Sequence, residues 1–131
     1  MSFHIPSLYM APSDLHKRGM FTAEAIEAGN TIEVCPAIVL SKKDRTIIHK
    51  TTLHDYYFTW GEDDDACAIA LGYGSLYNHS YEPNARFLID MEMETISIRS
   101  IKNIEAGEEI KINYNGDPED QSDLWFTKKN G

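Results

Sequence analysis

The sequence predicts a single, mostly β domain with short helices. Three observations carry this. Short apolar runs recur along the chain, turn-forming clusters of Gly, Asn and Asp separate them, and helix-start chemistry is scarce. At 131 residues the chain is one domain's worth, with room for a modest core.

Taken in order, Gly19 to Ala23 reads as a short strand and Glu27–Asn30 as a turn. Thr31 to Leu40 is β-rich but contains Pro36, which predicts an edge strand or a bulge there. Ser41, with Asp44 three positions on, resembles a capping box and predicts a helix over about Lys42 to His49. Asp55 to Trp60 is aromatic and strand-like, Gly61 to Asp65 a polar hairpin tip, and Cys67 to Leu71 the returning strand. The aspartates of that tip lack the ligand spacing of a calcium loop. Ala85 to Asp90 and Thr95 to Ile101 form a strand pair, the second alternating Ile96, Ile98 and Ser100 with Ser97, Arg99 and Ile101. Glu105 to Glu108 turns into a last strand, Glu109 to Asn113, before a polar tail.

Charge and cysteine content narrow the function classes. The net charge is −9, from 21 acidic and 12 basic residues, which disfavours direct nucleic-acid binding and suits a basic, Lys-rich protein partner. Plain solubility explains the same balance. Cys35 and Cys67 lie in apolar text and read as buried free thiols. Two cysteines without nearby histidines do not make a zinc site, so no metal is expected. No stretch has the length of a membrane span, and Met1 to Tyr9 lacks signal-peptide character, so an intracellular location is expected, cytoplasmic by default and compatible with the nucleus.

Two segments carry chemistry. Gly72-Tyr73-Gly74-Ser75-Leu76-Tyr77-Asn78-His79-Ser80-Tyr81-Glu82-Pro83-Asn84 is both irregular and aromatic, the mark of a packed loop that holds a site. His79 alone would read as a structural histidine; the whole string weakens that reading. Glu108-Glu109-Ile110-Lys111-Ile112-Asn113-Tyr114 ends a strand on a tyrosine, followed by the glycine turn at Gly116, which can present a hydroxyl into a cleft.

Together and in this order, these segments resemble the SET-domain protein-lysine methyltransferases. Lys17-Arg18-Gly19-Met20-Phe21 resembles the family's early Gly-x-Gly motif, with Lys17 at the first glycine. Asn78 to Asn84 matches Asn-His-Ser-x-x-Pro-Asn without a gap, and Glu108 to Tyr114 matches Glu-Glu-Leu-x-x-Asp-Tyr with Ile110 and Asn113 as mild substitutions. The likeness covers about Lys17 to Phe126. It implies small curved sheets with a threaded, knot-like crossing, one domain over 1–131 with its core at about 17–116, and a tail, 117–131, that closes the site. It also implies methyl transfer from S-adenosylmethionine to a lysine of a basic, histone-like protein.

By the same likeness Tyr114 is the catalytic tyrosine, acting by orientation and electrostatics. Arg18, Gly19 and Met20 are expected at the methionine end of the cofactor, and Asn78 and His79 at its amino group and adenine edge, with Tyr73 or Tyr77 lining the pocket. Trp125 and Phe126 either stack on adenine or clamp the tail onto the core, and both roles are compatible. Tyr73 and Phe87 are expected in the lysine channel with Tyr114. Phe87 stands where relatives carry the Phe or Tyr that limits product methylation, and a phenylalanine predicts products beyond monomethyl-lysine.

The departures from the pattern are Ser75-Leu76-Tyr77 before the Asn-His-Ser string and Tyr81 in place of a cysteine. The sequence carries no cysteine-rich zinc segment of the kind that often flanks the domain, so the tail or a second copy of the chain is expected to complete the channel, which makes a homodimer a candidate. The rival readings are a SET fold that has lost catalysis and serves as a binding module, and a small β-rich interaction protein.

Overall fold

The computed structural model describes residues 3–124. In chain order its strands are β1 (Phe3–His4), β2 (Leu8–Ala11), β3 (Gly19–Thr22), β4 (Thr31–Leu40), β5 (Phe58–Trp60), β6 (Ala66–Ala70), β7 (Asn78–His79), β8 (Ala85–Asp90), β9 (Thr95–Ser100) and β10 (Glu109–Ile112). The helix α1 (Lys42–Ile48) follows β4, and single 3-10 turns occupy Thr52–Asp55 and Gly74–Leu76. The short strands at β1 and β2 were not foreseen, because two and four residues are too few for a periodic signal.

The strands form two sheets. One runs β5-β6-β4-β9-β8, with β1 added against β4; the other runs β2-β3-β10-β7. β4 is the spine of the first. Its Thr31–Pro36 half pairs antiparallel with β9, and its Ala37–Leu40 half pairs with β6. Pro36 therefore lies inside the sheet rather than on an edge, at the point where one partner hands over to the next. A missing N–H costs least there, because that residue closes one ladder just before the other begins. The register irregularity sits earlier, between Thr31 and Glu33.

Local chemistry explains the other elements. Ser41 Oγ accepts the Asp44 N–H at 3.2 Å and starts α1, as its sequence predicts. In β9, Ile96, Ile98 and Ser100 are buried while Arg99 faces solvent, so the period of two holds. Cys35 and Cys67 are free and buried, and burial raises both thiol pKa values, so neither is a thiolate at neutral pH.

The core has two parts. The larger gathers Met20, Ile32, Tyr77, Ile98, Ile110 and Ile112 between the sheets; the smaller gathers Cys35, Trp60, Ala68 and Ile96. Each fully buried isoleucine contributes about 1.5–3 kcal/mol. Phe58 and Phe87 pack against both parts and so stand on the seam.

β10 is the inner strand of the second sheet, antiparallel to β3 and parallel to β7. The loop after β7 holds it further: Lys111 donates its N–H to Asn84 Oδ1 at 2.8 Å, and Asn84 returns its own N–H to the Lys111 carbonyl at 3.2 Å. Beyond β10 the chain meets the same loop again, where the Tyr81 hydroxyl donates to the Ser122 carbonyl at 2.9 Å. This arrangement is compatible with the threaded crossing that the resemblance implies. Among the described residues, no helix is long and apolar enough to cross a membrane.

Candidate active site

Tyr114 stands two residues beyond β10, and two cavities meet at it. The first, about 290 Å³, is walled by Tyr56, Tyr57, Phe58, Tyr77, Phe87 and Tyr114, with Asp55 and Asp123 among the polar groups lining it. The second, about 390 Å³, is bordered by Leu15, His16, Arg18, Asn78, His79 and Tyr114. Asp55, Tyr56, Ser75 and Tyr114 belong to both. The first is thus the aromatic cavity; the second sets His16, Arg18, Asn78 and His79 beside the apolar Leu15 and Leu76 and is distinguished by those side chains as the polar cavity, with Tyr56 and Tyr114 at the junction.

Tyr114 is held at both ends. Its main-chain N–H donates to His79 Nδ1 at 3.0 Å, and its hydroxyl donates to the Tyr77 carbonyl at 2.6 Å. Burial, reinforced by Tyr56, Asp55 and Glu109, pushes its pKa up, so it remains a neutral phenol. Tyr77, whose carbonyl receives it, is tied at its side chain by a buried carboxylate. Glu33 accepts the Tyr77 hydroxyl at 2.7 Å and the Tyr73 N–H at 2.9 Å, and both Glu33 and Tyr77 are almost fully buried.

A polar cluster organises the second cavity. The Asn78 amide nitrogen donates to the Arg18 carbonyl at 2.9 Å and to Glu109 Oε2 at 2.8 Å, with Ser13 Oγ at 3.2 Å. Ser13 in turn donates to Glu109 Oε1 at 2.7 Å. Gly19 passes beside this cluster, where a Cβ would strike the Glu109 carboxylate and lie 2.7 Å from Asn78 Nδ2. A side chain at position 19 would have to push the ends of Glu109 and Asn78 out of this cluster.

The sequence-predicted residues divide accordingly. Arg18, Asn78, His79 and Tyr114 line the polar cavity, and Phe87 and Tyr114 line the aromatic one. Gly19 and Met20, expected at the cofactor, lie in β3 and border neither cavity, Met20 wholly inside the core. Tyr77, expected at the cofactor, lines the aromatic cavity instead, because Glu33 draws its hydroxyl inward. Tyr73, expected in the channel, borders neither cavity. Its ring meets His4 edge-on at 5.8 Å and packs on the larger core. Trp125 and Phe126 lie outside the described residues. Sequence reasoning missed Leu15, His16, Ser13, Glu33 and the wall Tyr56-Tyr57-Phe58. The last had a signal, an aromatic run next to Asp55, but it was read only as strand text.

Comparison with known proteins follows the same lines. Residues 17–115 match the family model of the SET domain. The chain is 34% identical over 110 residues to the histone-lysine N-methyltransferase, H3 lysine-37 specific, of Schizosaccharomyces pombe, covering 83% of this chain and 69% of that protein. It also resembles a crystallised Plasmodium falciparum protein assigned to the histone methyltransferases (TM-score 0.66, 29% identity), over 84% of this chain and 98% of that one. A third likeness is to a chain of an active polycomb repressive complex 2 in the basal state (TM-score 0.68, 27% identity), over 84% of this chain and 15% of that one. The chain belongs to the SET-domain family.

The polar cavity fits S-adenosylmethionine. Its volume lies in the range of about 300–1,000 Å³ usual for small-molecule sites. Arg18 brings a cation suited to a carboxylate. The Asn78 contacts use its amide hydrogens and leave Oδ1 as an acceptor. His79, with Nδ1 accepting, carries its proton on Nε2, and that buried atom has no partner among the described residues. An unpaired buried donor of this kind takes an ordered water or a ligand atom as its acceptor.

Proposed function

We propose that the polar cavity holds S-adenosylmethionine, that the aromatic cavity admits the side chain of a substrate lysine, and that Tyr114 aligns the two reacting groups between them. The chain is an S-adenosylmethionine-dependent protein-lysine N-methyltransferase. The meeting of the two cavities at one neutral, doubly tethered tyrosine is the observation that carries this reading.

When bound, S-adenosylmethionine supplies a methyl group activated by a positive sulfonium. The residues of the chain prepare its acceptor. A free lysine, with a pKa near 10.4, is deprotonated only about one part in a thousand or less at pH 7. Asp55 and Asp123 attract the ammonium to the aromatic cavity, where aromatic faces hold it by cation–π contact. The walls of Tyr56, Tyr57, Phe58 and Phe87 then strip its water and lower its pKa, so that the neutral amine becomes accessible. Tyr114 cannot serve as a base while it is a neutral donor to Tyr77; its phenolic oxygen orients the amine and the transferring group.

The substrate in this reading is a basic, Lys-containing protein, histone or histone-like, and its site of action is intracellular, nuclear where that substrate is a histone. Asp123 and Leu124 already line the aromatic cavity, which supports the tail rather than a second copy as the element that completes the channel.

Incubating the protein with S-adenosylmethionine and histone or lysate proteins, then locating mass increments of methyl groups on lysine, tests the reading. Calorimetry of cofactor binding accompanies it. Failure to bind the cofactor at high concentration would overturn the enzyme in favour of an inactive binding module.

A further inference from the structure

Outside the two cavities, α1 and its surroundings bring Lys42, Arg45, His49 and Lys50 into a depression of about 370 Å³, closed by Tyr57 and Asp65. Arg45 and Tyr57 line the aromatic cavity as well, so the depression opens beside the lysine channel. Three fixed cations against a single carboxylate make it locally positive, on a chain whose net charge is −9. Such a reversal next to a binding channel calls for a partner group of negative charge.

Arg45 is set for that task. Its Nη1 donates to the carbonyls of Asp64 and Ala66 at the β5–β6 hairpin, and its guanidinium carbon lies 5.4 Å from the centre of the Tyr57 ring. The Tyr57 hydroxyl is in turn 2.9 Å from His49 Nδ1. Among the described residues Nε and Nη2 of Arg45 have no partner. A half-buried guanidinium anchored by one nitrogen, with the other edge free, presents the fork that matches two oxygens of a carboxylate or phosphate.

Resting on the reading of the aromatic cavity as the lysine channel, we propose that this depression receives an acidic side chain of the same substrate segment, a carboxylate or phosphate monoester near the methylated lysine. The site thus reads two features together, a lysine in the channel and a negative group beside it. A nucleic-acid backbone fits less well: the depression seats one anionic group on Lys42, Arg45 and Lys50, whereas an extended polyanion would run past Asp65 and onto the preceding Glu62-Asp63-Asp64 of the hairpin.

The test uses fluorescent Ala/Ser peptides with one lysine, and one Glu or phosphoserine placed at successive positions on either side. Binding is read by anisotropy and methylation by mass spectrometry. At one position the acidic group is expected to tighten binding roughly tenfold, and the gain is expected to vanish in K42E/K50E and to shrink in Lys50→Glu. Circular dichroism and Tm verify that the variants fold. A flat scan, an undiminished gain in K42E/K50E, or charge-sensitive binding of duplex DNA without any peptide effect would each overturn the proposal. Acid-dependent binding without methylation in the presence of S-adenosylmethionine would support the depression and sink the methyltransferase reading.

Discussion

The main-chain N–H of Tyr114 donates to Nδ1 of His79 at 3.0 Å, and the two rings lie 5.2 Å apart with planes tilted by 53°. The contact ties the chain just beyond β10 to the strand that β10 pairs with in parallel, and it requires an imidazole whose Nδ1 keeps its lone pair. A protonated His79 would turn an acceptor into a second donor facing the Tyr114 N–H.

This relationship sets a pH dependence. Burial lowers the pKa of His79 below the ordinary value of about 6.5. Folded protein thus binds fewer protons than the unfolded chain in that range, so stability rises with pH. The contribution is complete above about pH 6.5 and is lost as the pH falls toward the lower folded value. Tm measured from pH 7.5 down to pH 5 should fall more steeply for the wild type than for His79→Gln. Parallel curves would show that His79 is not the titrating group.

Removing the Tyr114 hydroxyl should separate chemistry from binding. Tyr114→Phe deletes the donor that bonds the Tyr77 carbonyl at 2.6 Å and leaves the ring between the cavities. Loss of one preorganised polar group at the reacting centre lowers kcat by about a hundred- to a thousandfold. Cofactor affinity should change only a few-fold, since Arg18, Asn78 and His79 remain. Equal losses in kcat and in cofactor affinity would instead mark Tyr114 as a wall of the polar cavity.

What the sequence made legible depended on the range of the interaction. The Ser41 cap and the alternation in β9 act over a few residues, and both were read correctly. The two halves of the site were readable because each lies in one contiguous string, Asn78–His79 and the segment ending in Tyr114. The sides of Tyr73 and Tyr77 were not, because in an irregular loop no period assigns a face. Glu33 decides them from 40 and 44 residues away in sequence. Pro36 failed similarly: its penalty depends on which strand it faces, and the handover from β9 to β6 is a property of the assembled sheet.

Glu33 is accordingly expected to matter beyond its own neighbourhood. Glu33→Ala strands the Tyr77 hydroxyl and the Tyr73 N–H in the interior, at a cost of about 1–3 kcal/mol for each unpaired donor. It also loosens the carbonyl that holds the Tyr114 hydroxyl, so kcat should drop along with Tm. Glu33→Gln keeps one acceptor and should recover part of both. Recovery of stability without any recovery of kcat would disconnect Glu33 from Tyr114.

Phe87 gives the sharpest test of the channel. Its ring meets Phe58 edge-to-face at 4.9 Å and 70°, and its Cζ lies 3.6 Å from where a Cβ on Gly116 would stand. Gly116 has φ +98°, a conformation that side chains disfavour, so position 116 adds no side chain beside Phe87 Cζ. Phe87→Tyr places a hydroxyl there, able to hold a water or hydrogen-bond the amine and so hinder its rotation for a second transfer. Wild type should therefore yield dimethyl- or trimethyl-lysine, and Phe87→Tyr mostly monomethyl-lysine, as read by mass spectrometry of a single-lysine peptide. A companion Gly116→Ala should narrow the same space from the opposite side, though with a loss of stability of about 1 kcal/mol from the strained backbone. An unchanged product distribution in both variants would remove Phe87 from the role of gauge, while leaving the two-cavity assignment intact.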